Sequence, residues 1–477
     1  MNTFGSAFRH PRLNVLGLLL AVLGVLTGSH HSALRAAESG RPPNIIFILV
    51  DDLGTDWVGC YGSPYPTPSL DRLAARGLQF DTAWTSPICT PSRVMMLTGL
   101  YPGRTGWTEH YDVPRWGGEG LIPDRFDTWP QRLKRHGYAT AIAGKWQIND
   151  LRLSADILQR HGFDHHCVWP GVESNNPPSE QRYWDAYLQT DGVRKVHRGA
   201  YGPDVTQAFA LDFIRQKRSG PFVLYYPMIL VHAPNEPTPR NRHRPPSGED
   251  ALYAGSVTYM DQQVGELLDE LDRLALTDNT VIIFAGDNGS SSSGTLHGRS
   301  IPAGKGKTTA WGVHVPLIVS APGIATVSGK RTAALTDFSD LYPSILELAG
   351  LSPPSGLAID GHSWVPLLKG THNAATRPWI YAQRHTDRTI RDERYKLNSD
   401  GNLFDLLADP DERTPLDARS SQTLSDRKKT LSTLLAAIPA ANVTMPFPEY
   451  SLSRMKEYQD QMAKERKATK SERKRSD

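Results

Sequence analysis

The run NIIFILV over Asn44–Val50 passes abruptly into Asp51-Asp52, and that switch from apolar to acidic constrains the fold more than any other feature of the chain. The run is too short and too rich in branched side chains for a helix, so it reads as a buried strand. The pattern recurs. Residues 137–143 lead to Gly144-Lys145-Trp146, residues 222–226 lead towards His232, and residues 280–285 lead to Asp287-Asn288-Gly289. Helical patterns over 69–76, 128–136, 205–217 and 252–274 lie between them. Strands without polar alternation are covered on both faces, and strands alternating with helices build a mainly parallel sheet flanked by helices. Ligands of such sheets gather outside the C-terminal strand ends, where these polar residues fall.

A chain of 477 residues with 39% hydrophobic content is a folded protein with room for one large core and a smaller companion. A strand at 316–321 and a helix at 340–349 close the larger unit, expected over 43–370. The segments 379–381, 394–397 and 403–406 predict a short antiparallel sheet in a C-terminal subdomain over 371–450, and a basic tail follows over 451–477. Stretches 169–202 and 234–250 read as long loops, being rich in Pro, Gly and charge without periodicity. Arg9 and Arg12, an apolar run over 13–26 and small residues near Ala36-Ala37 outline a secretory signal peptide over 1–37. The apolar run is short for a membrane span, so the expectation is a periplasmic or secreted protein, not integral to a membrane after cleavage. Of the three cysteines, Cys60 and Cys167 could pair, but nothing in their spacing requires it, and no bridge is expected. The net charge of +3 is concentrated in residues 240–244 and the tail, and no nucleic-acid motif accompanies it, which argues against a nucleic-acid partner.

Cys89-Thr90-Pro91-Ser92-Arg93, continuing into Thr98-Gly99-Leu100-Tyr101-Pro102, places a nucleophile beside an anion-binding arginine at a helix start. Pro91 suits a first helical turn, Thr90 is the expected cap, and residues 94–97 continue as an apolar helical segment. Unpaired backbone N–H groups and the positive end of the helix dipole favour an anion at position 89. The motif resembles the C-x-P-S-R signature of sulfatases. In that family the cysteine is oxidised by a formylglycine-generating or equivalent maturase to formylglycine, whose hydrate attacks sulfate esters. The order D-D, C-x-P-S-R, G-K-W, H-x-P, D-N-G, K-G extends the resemblance from Pro43 to about Asp417. It implies an alkaline-phosphatase-like α/β fold with a smaller C-terminal α+β subdomain.

Asp51, Asp52, Asp287 and Asn288 follow separate strands and, on neighbouring strands, supply a hard oxygen set suited to Ca²⁺ or Mg²⁺. Such acidic pairs after strands also form simple turns. The resemblance implies that these four, with formylglycine at Cys89, hold the cation, Ca²⁺ being favoured over Mg²⁺. It further implies that Lys145, His232 and Lys305 contact the sulfate and that Arg93 supports formylglycine. Two departures stand out. Sulfatases usually read G-K-W-H, with the histidine touching formylglycine, and here Gln147 follows Trp146. Where the family has E-G-G-x-R-V-P, this chain has Ala310-Trp311-Gly312-Val313-His314-Val315-Pro316. His297, in a Ser/Gly-rich loop, is one replacement for the missing imidazole. Export, the flat faces of Trp169, Trp184 and Trp311, and basic loop residues suggest a sulfated small molecule or glycan as substrate. The alternatives are a phosphonate or phosphodiester hydrolase of the same superfamily, or a protein that binds sulfated glycans without hydrolysing them.

Overall fold

A computed structural model describes residues 41–371, 377–440, 456, 457 and 460. The signal peptide read at 1–37 and nearly all of the basic tail lie outside the described residues. Ten strands form the main sheet: β1 (Asn44–Val50), β2 (Leu78–Phe80), β3 (Ala139–Lys145), β4 (His165–Trp169), β5 (Tyr187–Thr190), β6 (Val193–Val196), β7 (Phe222–Met228), β8 (Thr280–Gly286), β9 (Leu317–Ser320) and β10 (Lys330–Thr332). Their spatial order is β10-β2-β9-β8-β1-β7-β3-β4-β5-β6. The middle five, β8-β1-β7-β3-β4, run parallel, whereas β9 and β5 join them antiparallel.

The NIIFILV run explains the layering. Successive side chains of a strand point to opposite faces. Ile45, Phe47 and Leu49 accordingly join one apolar core with Val94, Trp129 and Ile345, while Ile46, Ile48 and Val50 join a second with Leu70, Phe213 and Leu267. Burying an aliphatic side chain this completely stabilises by about 1.5–3 kcal/mol, so β1 alone anchors both helical layers. The flanking helices Pro68–Ala75, Trp129–Arg135, Gly202–Lys217, Glu249–Arg273 and Leu341–Leu348 fall where the sequence pattern put them, to within a few residues. At the C-terminal ends of β1 and β8 the chain passes directly from apolar to acidic residues.

Two expectations need correction. The stretch 169–202 is not all loop, because β5 and β6 form a hairpin that extends the sheet edge. Its outer strand, Val-Arg-Lys-Val, alternates between exposed and half-buried positions, so no continuous apolar run announces it. The C-terminal sheet has the expected strands β11 (Ile380–Arg384), β13 (Tyr395–Asn398) and β14 (Leu403–Asp405), with one more, β12 (Asp387–Arg391), between β11 and β13. Arg377 attaches this region to the larger one by pairing with buried Asp337 and, at 3.3 Å, with Asp340. Cys60, Cys89 and Cys167 are all free thiols. Among the described residues, no helix is long and apolar enough to cross a membrane.

Candidate active site

Strand register brings the acidic pairs together. Val50 of β1 lies opposite Gly286 of β8, and Asp287 N–H donates to the Val50 carbonyl at 2.9 Å, so Asp51-Asp52 and Asp287-Asn288 leave the sheet side by side. Two unusual backbone features make the crossing. Asp52 has φ 65°, in the left-handed region, and a Cβ at Gly286 would lie 2.0 Å from the Leu53 carbonyl oxygen, so only glycine lets the β1 chain cross there. On the other side of β1, Val50 faces Met228 of β7, and Val231 N–H donates to the Asp51 carbonyl at 2.9 Å, which brings His232 beside the acidic turn. Lys145 ends β3 on the same edge, after Gly144, where a Cβ would lie 1.9 Å from the Pro227 carbonyl oxygen.

These groups form one network. Two N–H groups of Arg93 donate to Asp287 Oδ2 at 3.0 and 2.7 Å, and the same guanidinium lies 3.7 Å from Asp51 Oδ1. Lys145 Nζ donates to Asp51 Oδ2 at 2.6 Å and Lys305 Nζ to Asp52 Oδ2 at 2.6 Å. Asp287 Oδ1 accepts from the Asp52 N–H at 3.0 Å, and Asp52 Oδ1 from the Asn288 amide at 2.9 Å. Asp51, Asp52 and Asp287 are at most 1% exposed and three cations meet them there, although burial and then Asp51 still push the Asp287 carboxyl well above the usual range against the pull of Arg93. Burial works against ionisation of Asp51, yet Lys145, His232, Arg93 and Lys305 together outweigh it and hold its carboxyl well below the usual range. Burial likewise opposes the charge of Lys305, but Asp52, Cys89 and Asp51 raise it to about 12.

The site fits a hard divalent cation on its own chemistry. Asp51 Oδ1 and Asn288 Oδ1 are buried acceptors with no hydrogen-bond partner, and buried polar atoms are rarely left so. Asp51, Asp52 and His232 each offer a ligand atom within 4.8 Å of one another. Carboxylate and amide oxygens are the donors that Ca²⁺ and Mg²⁺ select.

The helix that opens with Cys89 spans Cys89–Thr98 and every residue in it is buried. It begins two residues earlier than expected: Ile88 is the N-cap, and Thr90 caps nothing. Instead Thr90 Oγ1 lies 2.9 Å from His110 Nδ1, which is also 3.4 Å from Cys89 Sγ. His110 is a site residue that the sequence did not single out, since no motif surrounds it. Burial, reinforced by Lys145 and Lys305, holds its ring down at about 4. His297 does not fill that place; it is exposed, with its ring against Gly62. The Lys305 turn is tied to the helix entrance by the Gly306 N–H, which donates to the Pro87 carbonyl at 2.7 Å. Ser290 supports the same turn: its carbonyl accepts from Lys305 N–H at 3.1 Å, and its hydroxyl donates to buried Asp56 Oδ1 at 3.0 Å.

The network is open to solvent on one side only. The side chains of Lys305 and His232 are each 23% exposed, against 3% for Lys145, so the network opens towards the former two. Burial, then Lys305, pushes the His232 imidazole down to about 3. Arg182 Nη2 lies 3.2 Å from His232 Nδ1, and its guanidinium covers the Trp169 ring at 4.7 Å. Of the three tryptophans read as sugar platforms, Trp169 is buried and donates to the Ser179 carbonyl at 2.8 Å, Trp311 donates to Asp411 at 2.9 Å, and half-buried Trp184 carries the Arg242 guanidinium at 3.8 Å.

The chain matches the family model described as Sulfatase over residues 43–351. It is similar to N-acetylgalactosamine-6-sulfatase of Homo sapiens, with 33% identity over 379 residues covering 74% of this chain and 70% of that protein. Arylsulfatase A of Homo sapiens is 30% identical over 419 residues, covering 80% of this chain and 81% of that protein. Among solved structures, Ps i-CgsB in complex with k-i-k-neocarrahexaose superposes with a TM-score of 0.72 at 26% identity, covering 84% of this chain and 94% of that one.

Proposed function

The chain belongs to the sulfatase family and is a sulfatase, and on that premise we propose that it is a periplasmic or secreted enzyme that hydrolyses the sulfate monoester of a sulfated carbohydrate, with residue 89 as formylglycine beside a divalent cation. One observation carries the reading: carboxylates and cations from three strand ends, the Lys305 turn and Arg93 of the Cys89 helix gather in one network. A sulfated sugar is supported by the relatives' names, N-acetylgalactosamine-6-sulfatase above all, and by the cationic rim of Arg182 and Arg242.

Hydrated formylglycine supplies a hydroxyl nucleophile and can expel sulfate by returning to the aldehyde. Asp51, Asp52, Asp287, Asn288 and residue 89 would hold a divalent cation, Ca²⁺ in our reading, which would supply Lewis-acid charge to the nucleophile and the sulfate. Asp287 takes up the nucleophile's proton, and Arg93 fixes the Asp287 carboxylate by its two N–H groups. Lys145 and Lys305 exchange their carboxylate partners for sulfate oxygens and stabilise charge on the transferring group. His232, on the open side with Lys305, serves the departing alcohol oxygen. The protein exported from its own cell type, as the signal-peptide reading implies, is the material to assay. Inorganic sulfate should be released from sulfated N-acetylgalactosamine and from para-nitrophenyl sulfate, while bis(para-nitrophenyl) phosphate is spared. Preferential cleavage of the phosphate diester would overturn the assignment.

A further inference from the structure

We propose that His110 is a catalytic residue that accepts the proton from the oxygen on residue 89 as sulfate leaves. The inference rests on the formylglycine reading above. Cys89 Sγ marks the position of an oxygen on the side-chain carbon of the matured residue, and His110 Nδ1 lies 3.4 Å from it. That approach is within reach of a hydrogen bond to a hydroxyl once oxygen replaces sulfur. With its proton on Nε2, the ring presents the single lone pair of Nδ1 as an acceptor; the Thr90 hydroxyl, 2.9 Å away, occupies it at rest and turns aside when the residue 89 hydroxyl donates.

Gln147 stands where sulfatases usually place a histidine, and its amide can hydrogen-bond but cannot take up and pass on a proton. Its φ of 65° turns it aside from an extended strand path, and its Oε1 is buried without a hydrogen-bond partner, as is Asp112 Oδ1 beside it. His110 is instead held for the task. Its backbone N–H donates to Glu109 Oε1 at 2.8 Å, Glu109 is gripped by Arg384 at 2.9 Å, and the ring meets Trp116 edge-on with centroids 5.6 Å apart.

The step balances without a further reactant. The C–O bond to sulfate breaks with its electron pair on the sulfate oxygen, the O–H pair of the remaining hydroxyl forms the C=O bond, and the proton passes to His110 Nδ1. His110 returns the proton to solvent before water rehydrates the aldehyde.

Full-length enzyme with residue 89 converted, mixed rapidly with para-nitrophenyl sulfate, tests this. His110→Ala should release a stoichiometric burst of nitrophenol at close to the wild-type rate and then slow by about 10²–10⁴-fold. The peptide containing residue 89 should then carry the mass of one sulfate group. His110→Gln, which fills the pocket with a group that cannot take the proton, should do the same and serves if the alanine variant fails to fold. Gln147→Ala should leave both phases within about tenfold of wild type. A His110→Ala or His110→Gln enzyme that turns over in one phase, or is slow already in the first turnover, with no sulfate retained, would overturn the proposal. Converted wild-type enzyme that releases no sulfate from any ester would instead overturn the formylglycine reading, and the role of His110 with it.

Discussion

Arg384, on the C-terminal sheet, pairs with Glu109 at 2.9 Å and donates to the Gly306 carbonyl at 2.5 Å. It thereby clasps two loops of the larger unit, one carrying His110 and the other Lys305. The C-terminal sheet therefore helps to build the site as well as to cover the core. Arg384→Ala should lower kcat by about 10–100-fold, because small displacements of groups around a reacting centre are costly. Arg384→Lys should recover only part of this, since one ammonium cannot hold a carboxylate and a carbonyl with the geometry of a planar fork. Steady-state kinetics with para-nitrophenyl sulfate would check both.

Lys145 and Asp51 form a buried pair at 2.6 Å. Removing one partner strands the other charge, which typically costs about 3–5 kcal/mol. Lys145→Met should therefore destabilise the metal-free protein by about that amount in urea denaturation. Added Ca²⁺ should recover more stability in this variant than in wild type, because the freed Asp51 carboxylate gains a partner.

Asp56 is buried, and with one oxygen unpartnered its carboxyl is pushed up to about 7 by burial. In the unfolded chain the same group titrates near 4, roughly its ordinary value. Between these values the folded state holds the proton that the unfolded state has lost, so this group's contribution to stability falls as pH rises from about 4 to 7 and is flat above. The loss is at most about 4 kcal/mol over that interval. Asp56→Asn should flatten the decline, read as the difference between wild-type and variant unfolding free energies at several pH values.

Orphaned Asp51 Oδ1 and Asn288 Oδ1 give a test of the cation. Ca²⁺ at a hundredfold excess over its dissociation constant should stabilise the fold by about 2.7 kcal/mol, and chelation should remove that increment together with turnover. Asp52→Asn should shrink the Ca²⁺-dependent part of the unfolding free energy, measured with and without chelator.

Much of this site was legible because β1, β7 and β8 are buried on both faces and turn polar only where they leave the sheet. Asp51, Asp287 and His232 were readable as strand-end residues, and the motif order tied Cys89, Lys145 and Lys305 to them. His110 was not legible. It stands in a loop region without periodicity, and its proximity to Cys89 comes from the fold of residues 99–110 and from Glu109 and Arg384. The hairpin β5–β6 was hidden for a different reason: an exposed edge strand such as Val-Arg-Lys-Val lacks the continuous apolar run that marks a central strand. The Thr90 cap failed because the helix starts at Cys89 itself, which leaves the threonine hydroxyl for His110.

Residue 89 is the most direct point of attack. Mass spectrometry of the peptide that contains it, from mature protein made in its own host, should find the thiol replaced by the aldehyde or its hydrate. An unmodified cysteine in mature protein that still hydrolyses sulfate esters would contradict a formylglycine nucleophile.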